Sequence, residues 1–178
     1  MKRAAALLAA CFALSHAGQS STPRVGRPAI EAMERSFSRQ LSALWTQDPF
    51  VLLGTTRGIY LEGYGAVFTS EVDLAPGPTL NPFHQAMNKE NIAERRKRML
   101  ERLPKLKLAM ATMLGGAASS LDTVPANERL VLGVTLTQYP WEDRTGIPSQ
   151  VVVSGVKSRL LDAQRAGSLQ PAIEEREF

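Results

Sequence analysis

Thiol and imidazole groups are scarce in this chain of 178 residues, which holds one cysteine, Cys11, and two histidines, His16 and His84. A lone cysteine forms no disulfide within the chain, and zinc-thiolate sites need several such ligands. Histidine-rich transition-metal sites are excluded on the same ground. No Gly-x-Ser-x-Gly elbow occurs, and no glycine-rich loop ends in the Lys-Ser/Thr of a phosphate-binding loop. No apolar run approaches the roughly 20 residues of a membrane-spanning helix. Aromatic residues make up only 6% of the chain.

What is present begins at the amino terminus. Lys2 and Arg3 precede a small-apolar run from Ala4 to Leu14, followed by Ser15-His16-Ala17. Charge, apolar core and small-residue site in that order read as a secretory signal cut after Ala17. The chain is therefore expected to be exported, to the periplasm or beyond. Leu8-Ala9-Ala10-Cys11 matches the short pattern of lipoprotein processing, but Phe12, Ala13 and Leu14 continue the apolar run past it, so soluble release is preferred. Cutting after Ala17 removes Lys2, Arg3, His16 and Cys11. Of 21 Lys and Arg, 19 then remain against 17 Asp and Glu, a net charge of +2. That balance is too small to suggest nucleic acid as a partner. No cofactor or metal is expected.

Residues 18–27 read as a flexible arm, 28–167 as one globular domain and 168–178 as a frayed polar tail. Pro28 suits a first helical turn, and Ile30, Met33, Phe37, Leu41 and Leu44 follow at helical spacing until Asp48-Pro49. Phe50 to Thr55 and Ile59 to Glu62 read as paired strands turning at Arg57-Gly58. Ala66, Phe68, Val72 and Leu74 alternate with Thr69, Glu71 and Asp73, which predicts a strand with one wet face. A long helix is expected from Asn81-Pro82 to about Leu121. Its stripe is Ile92, Met99, Leu103, Leu106, Met110, Met113 and Ala117, and Pro104 should kink it. Leu130 to Thr137 and Gln150 to Ser154 read as strands, and Lys157 to Ala166 as a short helix ending at Gly167. The prediction is an α+β domain: an antiparallel sheet of about four to five strands covered by a long kinked helix and two shorter ones.

This element order is similar to that of roadblock and longin domains, a likeness of fold that implies no function. The stretch GIYLEGYGAVFTSEVDL, Gly58 to Leu74, resembles a segment of uncharacterised exported bacterial proteins, as does LVLGVTLTQYPWEDRTGIPSQVVV. The resemblance implies export and carries no activity.

Candidate chemistry is thin. His84 can act as a base near neutrality, but no nucleophile pattern accompanies it, and a surface or capping role suits the start of a helix. Gly63-Tyr64-Gly65 superficially suggests a phosphate loop, yet it opens a strand and fits a bend between strands better. Glu71 and Asp73, two apart, would share a polar strand face, where alternating acids are ordinary. The loop Tyr139, Pro140, Trp141, Glu142, Asp143, Arg144 puts two aromatics beside both charge signs and is the best binding-site candidate. The competing role makes Trp141 a cover for the core and pairs Arg144 with Glu142 or a neighbour. On the long helix, Arg95, Arg98, Arg102 and Lys105 flank the apolar stripe. Such a basic flank either snorkels over a core helix or meets a lipid surface. The expected function is a non-enzymatic binding or interaction module with a protein partner in the cell envelope. A small hydrolase or lyase using carboxylates and His84, and a protein resting on the membrane through the basic flank, are the alternatives.

Overall fold

The computed structural model describes residues 25–45, 51–76 and 88–178. The signal segment with Cys11, the cut after Ala17, Asp48-Pro49, Asn81-Pro82 and His84 lie outside the described residues. The elements run α1 (Arg27–Ser42), β1 (Val51–Leu52), β2 (Arg57–Leu61), β3 (Gly65–Asp73), α2 (Lys89–Ser120), β4 (Arg129–Leu136), β5 (Gln150–Val156), α3 (Lys157–Arg165), a 3-10 turn (Gln170–Ala172) and β6 (Glu174–Glu177).

This is a single α+β domain whose helices lie over one face of a six-stranded sheet. The sheet order is β1-β3-β4-β5-β6, with β2 also paired to β3. The predicted sheet was antiparallel with fewer strands. Here β3 and β4 run parallel, from Gly65↔Arg129 to Val72↔Leu136, and all other pairs are antiparallel. A parallel pair needs a long crossover, and α2 supplies it. The helix continues through Pro104 and begins at Lys89, because Asn88 caps it by accepting from Asn91 N.

Periodicity explains the core. On α1, Ile30, Met33, Phe37 and Leu41 are buried, and Phe37 meets Phe68 of β3 edge to face at 5.0 Å. The α2 residues Met99, Leu103, Leu106, Met110, Met113 and Ala117 fill the space over Leu130, Leu132, Val134, Val151 and Val153. A buried lysine closes the far end of α2. Lys157 Nζ donates to the carbonyls of Leu121 and Val124, each at 2.7 Å, and burial pushes its pKa down. A cation there complements the carbonyl end of the helix.

The first two strands are not paired with each other as predicted. Both lie against β3 on the same edge, with Gly54 at positive φ between them, and Arg57-Gly58 belongs to β2 rather than to a turn. The turn comes at Gly63-Tyr64-Gly65. Gly65 has φ +134°, and a Cβ there would stand 1.8 Å from the Arg129 carbonyl oxygen, so only glycine fits.

The outer rim of β2 is met by side chains of α1. Gly58 N donates to Glu34 Oε1 at 2.7 Å, and Arg27 Nη1 donates to Gly58 O at 2.9 Å. Thr56 N donates to Ser38 Oγ at 3.0 Å, and a hydroxyl chain continues from Ser38 to Thr56 and then, at 2.8 Å, to Ser70.

The carboxyl-terminal residues differ from the frayed tail expected. Glu174–Glu177 pairs antiparallel with β5, and Lys107 of α2 holds Glu175 at 2.8 Å and also Glu177. Backbone pairing and a distant lysine, not apolar alternation, carry this strand.

Candidate functional site

Because β3 and β4 are parallel, the chain leaves both at the same end of the sheet. Crevices at such ends are where open sheets commonly place ligands. Asp73 and Leu74 emerge from β3, and the loop from Thr137 to Ser149 emerges from β4. The amino-terminal half of α2 passes beside them.

Arg95 is the centre of this end. It is 2% exposed, and its Nη2 donates to Asp73 Oδ1 at 2.8 Å while its Nε donates to Glu142 Oε1. Its guanidinium stands 5.2 Å from the Tyr139 ring centre and 5.6 Å from that of Trp141. Those rings stack on each other at 5.3 Å, nearly parallel. Tyr139 OH donates to Asp73 Oδ2 at 3.2 Å, and Tyr139 N donates to Glu142 Oε2 at 3.2 Å. Burial pushes the Tyr139 hydroxyl pKa up, and the Asp73 carboxylate adds to the rise. One turn-pair further along α2, Arg102 Nη1 donates to Leu74 O at 2.8 Å and the guanidinium lies over the Trp45 ring.

Two groups that look separate in sequence therefore meet. Tyr139, Trp141 and Glu142 of the loop and Arg95 of the helix flank form one cluster with Asp73. Asp143 and Arg144 stay outside it. Asp143 is exposed, accepts from Thr145 N at 3.0 Å, and has its pKa lowered chiefly by that bond. Arg144 Nη2 donates to Pro148 O at 3.3 Å rather than to Glu142. The basic flank is divided as well. Arg95 and Arg102 are buried, Arg98 is half-buried and Lys105 is exposed. The apolar stripe beside it, from Met99 to Ala117, is enclosed in the core, so it is not a face turned to lipid. No helix among the described residues is long and apolar enough to cross a membrane.

The carboxylates of β3 also part company. The wet face expected of this strand holds at Thr69 and Glu71, but Asp73 is only 4% exposed because Arg95 covers it. Glu71 instead accepts from Thr137 Oγ1 at 3.3 Å. Within the cluster each acid is bonded to Arg95, and among the described residues no serine, threonine or cysteine side chain is bonded into it. The arrangement is a charge clamp that locks the loop to α2. Among the described residues no group of three or more His, Cys, Asp or Glu side chains is placed to hold a metal ion.

Two surfaces escaped the sequence reading. The first is the segment 51–64, where Val51, Leu53, Ile59, Leu61 and Tyr64 are exposed, Ile59 by 56%. Its signal was present in the apolar pairs at i, i+2, which helices cover only on the Gly58 and Tyr60 side. The second is a groove beside α1 that carries Arg35, Arg39 and Arg57. Its sequence signal was the like-charged pair Arg35 and Arg39 at i, i+4. Compared with family models, curated proteins and solved structures, the chain matches none.

Proposed function

We propose that this protein is an exported, non-enzymatic interaction module of the bacterial envelope and that its partner is a protein. Export rests on the Lys2 to Ala17 signal pattern. The observation that carries the interaction reading is the apolar surface of the first sheet edge. Five large side chains within residues 51–64 are exposed, among them Ile59 and Leu61, two apart on β2 and so on one face. Apolar groups gathered in this way and rimmed by charge mark contact surfaces. Glu62 and Glu71, both exposed beside these strands, supply such a rim. The clamp around Arg95 supports the same reading from the other end, since its acids are bonded to a cation instead of facing a substrate.

The test is a photo-reactive side chain placed at Ile59, with a control at Arg165 on α3, in chains produced with residues 1–17. The expected result is a discrete adduct with one envelope protein from Ile59 alone, lost when Leu61→Asp is added. Identical adduct patterns from both sites would sink the interaction surface. A chain kept in the cytoplasm with residues 1–17 attached would sink the export reading.

A further inference from the structure

Between α1 and the outer edge of the sheet runs a groove of about 500 Å³. One wall is a side of α1 bearing Arg27, Glu31, Glu34, Arg35, Ser38 and Arg39. The other is the chain at Thr55, Thr56 and Arg57. The volume lies within the range of small-molecule sites.

The two ends of the groove are unlike. At one end Arg27 donates to Glu31 at 3.0 Å and to Glu34 at 2.9 Å, so the acids of the lining are already bonded to a cation. At the other end Arg35, Arg39 and Arg57 are exposed and form no ion pair or side-chain hydrogen bond among the described residues. Four arginines against two glutamates leave the lining two charges positive. The floor is fixed. Thr56 is 1% exposed and is tied to Ser38 and Ser70 through its hydroxyl, which holds helix and strand at a set distance.

The fold explains the three arginines only in part, since Arg39 lies in the last turn of α1, where a cation suits the helix end, while Glu31, four residues before Arg35, is taken by Arg27. They bridge no elements, and Arg35 and Arg39, at i, i+4 on one helix, repel each other. Like charges gathered over a rigid floor lower the stability of the empty protein and favour a bound anion. Their type narrows the anion. A guanidinium is a planar fork that engages two oxygens at once. Three forks on two walls suit a tetrahedral group with several acceptor oxygens and two negative charges. A carboxylate, flat and with two oxygens, fills only part of that set.

We propose that this groove binds a phosphate group, held by Arg35, Arg39 and Arg57, as the head of a phosphate ester whose remainder lies along α1. The source is either a soluble phosphate ester or a phospholipid head group, and the two share this chemistry. The site is independent of export and of the protein partner: a chain that binds phosphate but stays in the cytoplasm would retain the site while ending the envelope reading.

The experiment titrates the purified protein at constant ionic strength with inorganic phosphate, glycerol phosphate and acetate, followed by calorimetry. A parallel arm measures sedimentation with vesicles of phosphatidic acid in phosphatidylcholine, against phosphatidylcholine alone. The variant is Arg39→Gln combined with Arg57→Gln, both exposed, with its melting point recorded as the check on folding. Saturable binding of phosphate or its ester, at least tenfold weaker for acetate and at least tenfold weaker in the folded variant, supports the proposal with a soluble source. Binding confined to the phosphatidic acid vesicles and lost in the variant supports it with a lipid source. Equal binding of acetate and phosphate, binding unchanged in the variant, or no binding in either arm overturns it.

Discussion

Glu94-Arg95-Arg96 on α2 and Glu34-Arg35-Ser36 on α1 are nearly the same helical text, yet their central arginines have opposite fates. Arg95 is 2% exposed, bonded to Asp73 and Glu142 and covered by two stacked rings. Arg35 is exposed in a groove and has no ion pair among the described residues. The difference lies in what arrives opposite. At Arg95 the parallel β3 and β4 deliver two acids from far along the chain, whereas at Arg35 the facing strand brings Thr55, Thr56 and a further arginine. An arginine surrounded in this way by acids acts as a structural fastener, and one surrounded by its own kind is available to a ligand.

The strongest way to test this contrast is to remove the fastener. Arg95→Met leaves Asp73 and Glu142 buried without their cation, and such a break costs about 3–5 kcal/mol. Chemical denaturation measures it, and a loss below about 1 kcal/mol would mean that the cluster is not a clamp. Trp141→Ala should cost about 2 kcal/mol, since it removes a ring stacked on Tyr139 and set over a desolvated guanidinium. A loss as large as that of a core aromatic would assign Trp141 to the interior, and no loss would free the loop for binding alone.

Lys107 tests a weaker fastener. Its bonds to Glu175 and Glu177 raise its pKa above 10.5. A raised lysine pKa contributes stability that is fully present below the unfolded value and is lost as pH rises through the folded one. The melting-point gap between the wild type and Lys107→Met should therefore be widest near neutrality, equivalent to at most about 1 kcal/mol. It should close above the ordinary lysine range, and a gap that persists there would show that charge is not what holds β6. The smallest effect is expected from Arg35→Gln with Arg39→Gln, a change within about 0.5 kcal/mol, because the repulsion lost and the cation removed from the last turn of α1 offset each other. Marked destabilisation would show that these arginines support the fold.

The sequence made the fold legible wherever one face of an element is apolar and the other is not. Ile30, Met33, Phe37 and Leu41 marked α1, and Leu130 to Leu136 marked β4, because burial on one side imposes a period that can be read locally. Pairing was not legible. The apolar runs around Val51 and Ile59 indicate strands, but nothing in them says that both take β3 as partner. The parallel pairing of β3 and β4 is likewise a property of the crossover. The last strand was hidden because Glu174-Glu175-Arg176-Glu177 has no apolar alternation, and its support comes from Lys107 at a distance. At the candidate site the right residue types were visible, but as two unrelated surfaces. Only folding joins Arg95 to Glu142, 47 positions apart.

The bonds from Arg27, Glu34 and Ser38 to the rim of β2 have a consequence for how this protein meets others. A bare sheet margin invites a foreign strand to continue the ladder, and the usual outcome is uncontrolled association. Here Gly58 already has its amide and carbonyl engaged, and Thr56 its amide, so α1 stands in for the missing neighbour. The opposite margin carries a row of charges instead. A partner recruited to Ile59 and Leu61 therefore reads side chains on the broad face, and at Thr56 and Gly58 it finds these backbone groups already taken. Chains shortened past Glu34 should lose that restriction and associate edge to edge.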